Sequence, residues 1–332
     1  MNHPDTGLEA LPDEALPEAS TAPPSPDRLP PRTVRLLGVL MVGAFVVILN
    51  ETAMNVALAT IMADLHVTER TAQWLTTGFM LTMAVVIPTT GWLLRRFSTR
   101  AAFTLAMSLF ALGTAICAVA FAFPLLLGGR IVQAIGTAIM MPLLMTTTIE
   151  VVPPRMRGRV MGLTSMVISV APAIGPTLSG AILHFLPWRF VFVVVLPIVL
   201  LILGLGLRFI YNLEAPGRVR LDGWSVPLAA LGFGGLVYGL SLVGNAEIPA
   251  WELATVLGVG TIALLGFGWR QLRLQRTDDA LLDLRTFTVP AFTTAVVVMT
   301  ITMAVLFGSV IALPLLMQQA LHLDPLTVGL ML

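Results

Sequence analysis

The feature that most constrains the fold of this chain is a series of apolar runs, each about 20 residues long, separated by short connections that carry charge, proline or glycine. A helix of about 20 apolar residues crosses the hydrocarbon core of a bilayer. Lipid offers no partner to an unpaired backbone group, so long, uniformly apolar runs suit helices rather than barrel strands. With 57% hydrophobic and 11% charged residues, the composition is far from that of a soluble domain, in which about a quarter of the residues are charged. We therefore predict an all-α integral membrane protein.

The apolar runs predict nine complete transmembrane helices and the start of a tenth. The nine spans lie near residues 34–58, 72–94, 101–122, 124–149, 159–183, 190–211, 224–243, 251–270 and 290–317. The tenth begins near Pro325, and the roughly eight residues from there to Leu332 are too few to cross a bilayer. We therefore expect this chain to be a fragment or a truncated form of a longer protein.

The distribution of arginine predicts the orientation in the membrane. All 19 basic residues are arginine. Sixteen of them lie before the first span, in the connections after the second, fourth, sixth and eighth spans, or in the span ends next to these segments, which is the alternation that the positive-inside rule gives for cytoplasmic loops. The pattern predicts a multi-pass protein of the cytoplasmic membrane with its N-terminus in the cytoplasm. A net charge of +1 and no basic block mixed with aromatic residues give no indication of nucleic-acid binding.

Two charged residues lie deep within predicted spans: Glu51 in the first and Arg130 in the fourth. Counted from the ends of their spans at a rise of about 1.5 Å per residue, both lie roughly 10 Å below the outer membrane boundary. They are therefore expected to meet or to line one cavity. Because ionisable groups inside a membrane are usually functional, Glu51 is a candidate proton carrier with Arg130 as its counterpart. The alternative is a permanent ion pair that holds the two helices together.

Polar and small residues surround these charges. The amides of Asn50, Asn55 and Gln133 extend the polar region, where they either bind substrate or orient the charges. In the fifth span Ala171, Gly175 and Ser179 form a stripe of small residues, a pattern that lets helices approach closely. The same span contains two prolines, Pro172 and Pro176, which predict a kink that serves either as a hinge or as static packing.

Five segments resemble the major facilitator superfamily, specifically its fourteen-span drug:proton antiporter branch. They are LNETAMNVALATI (49–61), GWLLRRFSTR (91–100), RIVQAIGTA (130–138), APAIGPTLSG (171–180) and WRFVFVVVLP (188–197). The N-E-T form of the first is similar to that of lincomycin-resistance-type exporters. The second resembles the loop motif between helices two and three, with Gly91, Arg95, Arg96 and Arg100, but Arg95 replaces the usual acidic residue of that motif and Ser98 replaces its glycine.

The resemblance implies the major facilitator fold and a division of the chain into bundles. The expected segments are a disordered cytoplasmic tail rich in proline and acidic residues (1–32), a six-helix bundle (33–211), a cytoplasmic linker (212–223), two extra central helices (224–270), a cytoplasmic loop (271–289) and the start of a second bundle (290–332). Two extra helices at this position favour the fourteen-span branch over twelve-span relatives.

The resemblance also implies proton-coupled efflux of drugs or other small amphipathic molecules by alternating access. The expected partners are a small-molecule substrate, protons and the bilayer, with no cofactor and no metal; a periplasmic or outer-membrane adaptor is left open. Proton coupling is expected at Glu51 and Arg130, and Gly175, Pro176 and Gly180 belong to the antiporter motif. The alternatives are a membrane scaffold or sensor, an inactive fragment, or an exporter of one metabolite. An enzyme is not expected, because the sequence contains no HExxH, GxxxxGK[ST] or Ser/His/Asp pattern.

Overall fold

The computed structural model describes residues 29–213, 222–243, 248–277 and 280–319, of which residues 303 and 306–319 are described by their backbone alone. Most of the predicted tail, most of the predicted linker at 212–223 and the start of the predicted tenth span therefore lie outside the described residues.

Within the described residues, an α-helix lies at each of the nine predicted spans. The helices are α1 (Pro31–Leu65), α2 (Glu69–Arg96), α3 (Thr99–Ala118), α4 (Phe123–Val151), α5 (Pro154–Phe185), α6 (Arg189–Phe209), α7 (Ser225–Ser241), α8 (Ala250–Leu274) and α9 (Pro290–Gln319). Two short 3₁₀ helices, Gln275–Thr277 and Leu284–Thr288, lie in the loop before α9. The predicted all-α membrane fold is confirmed. Seven helices of the described part, α1 to α6 and α8, are long and apolar enough to span a bilayer.

The boundaries of the helices follow from local chemistry. Thr68 and Ser98 precede α2 and α3, and their hydroxyl groups accept hydrogen bonds from the first-turn amides of Thr71 and Ala101. Helices α1, α4 and α5 instead each have one proline, at the first or second residue, where a backbone N–H would have no partner within the helix and its absence costs nothing. These capping residues and prolines therefore define the residue at which each of the helices α1 to α5 begins.

Helix α1 lies inside the bundle and packs against α4, α5 and α6, while α3 packs against α4 and α6, and α2 against α4 and α7. One apolar core lies around Leu40, Phe103 and Leu144, and a second lies around Ile61, Leu126 and Phe192. The ends of the helices near the first core form what we call the arginine-rich end. It carries Arg32, Arg35, Arg95, Arg96, Arg100, Arg155, Arg157, Arg159 and Arg208.

Glycines allow close contact between α3 and α4. A Cβ atom added at Gly113 would lie 2.6 Å from the amide nitrogen of Gln133, and one added at Gly136 would lie 2.4 Å from the carbonyl oxygen of Ala106. Both distances are far below any real Cβ contact. The two backbones are therefore in direct contact, which brings the polar side chains of α4 within reach of α3.

The pair formed by α7 and α8 has its own glycine interface. A Cβ added at Gly235 would lie 2.9 Å from the Cα of Gly260, and one at Gly232 would lie 2.9 Å from the Cα of Leu264. Helices α7 and α8 thus pack tightly on each other, and α7 attaches the pair to α2.

An ion pair closes the arginine-rich end of this helix pair. Asp222, just before α7, accepts hydrogen bonds from Arg270 of α8 at 2.5 and 2.6 Å and from the backbone amide of Ser225 at 3.1 Å. The hydrogen bonds from Arg270 lower the pKa of Asp222 from its ordinary value of 3.8 to about 2. The ion pair therefore stabilises the folded chain fully above pH 3.8, and the stabilisation is lost as the pH falls towards 2.

Replacing Asp222 with asparagine is expected to destabilise the α7–α8 pair by about 2 kcal/mol, because Arg270 then loses a bidentate charged partner. Thermal unfolding of the detergent-solubilised chain at neutral pH measures this loss. Asp283→Asn is the matched control, because the Asp283–Arg285 pair is exposed on both sides. Equal unfolding temperatures for Asp222→Asn and Asp283→Asn would show that the Asp222–Arg270 ion pair does not stabilise the α7–α8 pair.

Candidate functional site

A buried polar cluster joins three helices inside the bundle, and Gln133 lies at its centre. The side-chain amide of Gln133 in α4 donates to Thr114 Oγ1 of α3 at 2.7 Å and to Asn50 Oδ1 of α1 at 3.2 Å. Its Oε1 atom accepts a hydrogen bond from Arg130 Nη1 at 3.0 Å. Gln133, Thr114 and Asn50 are fully buried, and Arg130 is 2% exposed. We call these four residues the polar cluster.

The arginine of this cluster is enclosed by an aromatic ring. The guanidinium carbon of Arg130 lies 4.1 Å from the centre of the Phe79 ring of α2, and Phe79 is itself buried. A cation over an aromatic face is attracted by the ring quadrupole, and more strongly where water is excluded. Helix α2 thus contributes to holding the charge, although it contributes no polar atom to the cluster.

Two polar atoms of the cluster have no hydrogen-bond partner among the residues that the structure describes: Arg130 Nε and Asn50 Nδ2. Buried donors without a partner are uncommon in folded proteins, because each one costs about 1–3 kcal/mol. The cluster therefore has two free donors in a region otherwise closed to solvent.

Glu51, predicted to meet Arg130 or to share its cavity, is close to the arginine but not paired with it. The two charges interact electrostatically. No ion pair within 4.0 Å joins them, although both residues belong to the described part of the chain. The ion pair that the alternative interpretation requires between α1 and α4 is not formed in this structure, where Gln133 and Phe79 contact the guanidinium.

The three amides predicted to surround the charges separate into two environments. Asn50 and Gln133 lie in the polar cluster, whereas Asn55 is exposed on another face of α1. Residues five positions apart on a helix point in different directions, while Glu51 and Asn55, four apart, share a face. The polar region predicted from sequence is therefore not continuous around α1.

The stripe of small residues in the fifth span lies on the buried face of α5. Ala171, Gly175 and Ser179 are buried. A Cβ atom at Gly175 would lie 2.1 Å from Thr52 Oγ1 and 3.0 Å from the carbonyl oxygen of Leu49 on α1. Pro176 and Gly180, which the sequence resemblance groups with Gly175, are exposed, and a Cβ atom at Gly180 would meet nothing within 4 Å. Of the motif glycines, Gly175 is the one that sets the distance between α1 and α5.

The loop-motif arginines anchor backbone segments at the arginine-rich end. Arg95 Nη2 donates to the carbonyl oxygen of Ala280 at 2.7 Å, next to Gly91, where an added Cβ would lie 3.1 Å from the carbonyl oxygen of Leu281. Arg100 donates to the carbonyl oxygen of Leu207 at the end of α6. Arg96 is exposed. Arg95, which stands where the motif usually has an acid, thus binds the loop that precedes α9.

Sequence reasoning missed two residues of the site, Thr114 and Phe79. Threonine and phenylalanine are ordinary residues in apolar helices, and neither lies in the motifs quoted above. The spacing of Gly113 next to Thr114 was the available signal, because a glycine at a helix contact brings the neighbouring side chain against the facing helix. Across the described ranges, no group of three or more His, Cys, Asp or Glu residues forms a possible metal site.

Comparison with known proteins identifies the family to which this helical chain belongs. The model of the Major Facilitator Superfamily matches residues 40–332. The chain belongs to the major facilitator superfamily.

Several relatives within this superfamily are similar in sequence. An uncharacterised MFS-type transporter of Bacillus subtilis, YcnB, is 42% identical over 90% of this chain and 62% of its own length. The lincomycin resistance protein LmrB of Listeria monocytogenes is 38% identical over 91% of this chain and 63% of its own. The multidrug resistance protein B homolog of Mycobacterium tuberculosis is 31% identical over 92% of this chain and 56% of its own. The chain thus spans about three fifths of the length of the curated relatives that it matches.

A solved structure shares the fold. The bacterial homolog of the human lysosomal transporter Spinster, in an inward-facing and unoccupied conformation, gives a TM-score of 0.50 at 18% identity, over 74% of this chain and 63% of that one. At this level of identity the likeness concerns the fold alone. Together with the apolar helices, the family assignment makes this a multi-pass membrane protein.

Proposed function

We propose that this chain is part of a proton-coupled exporter of drugs or other small amphipathic molecules across the cytoplasmic membrane. The observation that carries the proposal is the enclosed Arg130 with Glu51 in electrostatic range but not ion-paired. Charges inside a membrane are costly and are characteristic of proton relays and substrate pathways. The resistance proteins among the relatives support the class of substrate.

In this proposal Glu51 carries the proton. A carboxyl group without a fixed ion-pair partner is free to gain and lose a proton, whereas one paired permanently with arginine is held ionised. Protonation removes the negative charge facing Arg130 and changes the balance between the outward- and inward-open states. Coupling requires that the proton binds these two states with different affinity. Arg130 is held in place by Gln133 and Phe79 and supplies the fixed charge against which Glu51 is balanced.

The proposal also includes the fourteen-span branch and the cytoplasmic N-terminus that were predicted from sequence. The two extra helices, α7 packed on α2 and α8 packed on α7, support assignment to the fourteen-span branch. The concentration of arginine at one end of the bundle supports a cytoplasmic N-terminus. In this orientation the substrate enters the bundle from the cytoplasm and the proton enters from the outside.

Export is tested with cells that express the complete open reading frame encoding this chain. A growth assay over a panel of toxic amphipathic compounds first identifies a substrate. Uptake of that compound into inside-out vesicles with an acidic lumen is then measured. We expect uptake that stops when the pH gradient is collapsed. Uptake of equal rate without the gradient would contradict proton coupling, and protection against none of the compounds would contradict drug efflux.

The second candidate function is a membrane scaffold or sensor that moves no substrate. The tight packing of α3 on α4 and of α1 on α5 is compatible with a rigid body of this kind. The same growth assay separates the two, because a scaffold confers no resistance to any compound in the panel.

A further inference from the structure

A basic cavity opens at the arginine-rich end between α1 and α6. It has a volume of about 420 Å³ and is lined by Arg32, Arg35, Arg208, Phe209 and Tyr211. The guanidinium carbon of Arg35 lies 5.7 Å from the centre of the Phe209 ring. We call this space the basic cavity.

The arginines of the basic cavity are available to a ligand. The side chains of Arg32, Arg35 and Arg208 are exposed and form no ion pair or hydrogen bond with the described part of the chain. Three cations that share one cavity repel each other, so an anion placed between them relieves this repulsion and gains charge-assisted hydrogen bonds.

An apolar groove continues from the basic cavity along the same two helices. Its volume is about 260 Å³, and Arg35 and Phe209 line both spaces. Beyond these two residues the groove is lined by Gly38, Val39, Val42, Ile202 and Leu205. Val42 is 50% exposed and Leu205 38%. The absence of a side chain at Gly38 leaves the groove open, since a Cβ added there would meet no atom within 4 Å.

We propose that the basic cavity and the apolar groove together bind one anionic phospholipid, with its phosphate between the three arginines and an acyl chain along α1 and α6. The order of the two spaces matches such a molecule, because the cavity lies at the end of the helices and the groove runs from it towards their middle. Basic pockets between transmembrane helices at the cytoplasmic side are suited to anionic headgroups. A soluble phosphate would use the cavity but gain nothing from the groove, which is why a lipid is the occupant that fits.

The test measures lipid binding to the full chain in detergent by native mass spectrometry. The probes are dioleoyl phosphatidylglycerol and dioleoyl phosphatidylcholine. The wild type is expected to bind phosphatidylglycerol, the anionic lipid, more tightly than phosphatidylcholine. Arg32→Gln with Arg208→Gln should weaken that binding by about thirtyfold, because each arginine near an anionic headgroup strengthens it several-fold. The matched control is Arg155→Gln with Arg159→Gln, which removes two exposed arginines from the same end.

A separate variant tests whether the apolar groove contributes to lipid binding. Gly38→Leu fills it and should weaken binding of the anionic lipid, whereas Gly162→Leu, at an exposed glycine with open space around it, should not. Equal losses in the two double-arginine variants, equal affinity for the two lipids, or unchanged binding in Gly38→Leu would each overturn the proposal. So would glycerol 3-phosphate binding as tightly as the anionic lipid, since that result would make the cavity a site for soluble anions.

Discussion

Replacing Gln133 with leucine is expected to destabilise the folded chain by about 2–4 kcal/mol. The amide of Gln133 is the hydrogen-bond acceptor for Arg130 and the donor to Thr114 and Asn50. Leucine has a similar volume but no polar atom, so the guanidinium of Arg130 would remain buried without a hydrogen-bond partner. Thermal or denaturant unfolding of the detergent-solubilised chain measures the loss.

The matched control for this variant is Gln73→Leu. Gln73 is exposed on α2, so the change in composition is the same but no buried network is broken. We expect its unfolding temperature to stay close to that of the wild type. If the two leucine variants unfold at the same temperature, Gln133 does not hold the cluster together.

Adding one methyl group is expected to have different effects at two glycines of the same motif. Gly175→Ala should destabilise the chain by about 1–3 kcal/mol, because its Cβ would overlap Thr52 and the backbone of α1. Gly180→Ala should leave it unchanged or stabilise it by up to about 1 kcal/mol, because alanine is the better helix former and open space surrounds the position.

Unfolding temperatures of Gly175→Ala and Gly180→Ala, measured side by side, decide between close packing and a purely conformational role for the motif. If the Gly180→Ala variant is as stable as the wild type but its export is altered, Gly180 has a role in movement of the helices rather than in their packing. A Gly175→Ala variant as stable as the wild type would show that α1 and α5 do not approach as closely as the structure has them.

The positions of the helices could be predicted from sequence because the bilayer imposes a minimum length on every apolar run. The boundaries of α3 and α6, for example, fall within a few residues of the predicted spans at 101–122 and 190–211. Helix α7, Ser225–Ser241, likewise lies within two residues of its predicted span at 224–243.

The site could be predicted only in part. Depth along a helix depends on residue count, so the similar depth of Glu51 and Arg130 could be inferred from sequence. Which side of the helix faces which neighbour depends on packing, and this is why Asn55 was grouped with Asn50 although the two lie on different faces. The partner of Arg130 was also beyond sequence reasoning. An amide three residues along the same helix and a phenylalanine on α2 hold it, whereas simple charge pairing pointed to Glu51.

The most direct test of proton coupling is export by the Glu51→Gln variant of the complete protein in inside-out vesicles with an acidic lumen. Glutamine keeps the shape and polarity of the side chain but cannot carry a proton. Glu69→Gln, at an exposed acid in the first turn of α2, is the matched control. We expect Glu51→Gln to lose uptake driven by the pH gradient but still to equilibrate substrate down the substrate's own gradient, while Glu69→Gln keeps both. Full gradient-driven uptake by Glu51→Gln would contradict the role of Glu51 as the proton carrier.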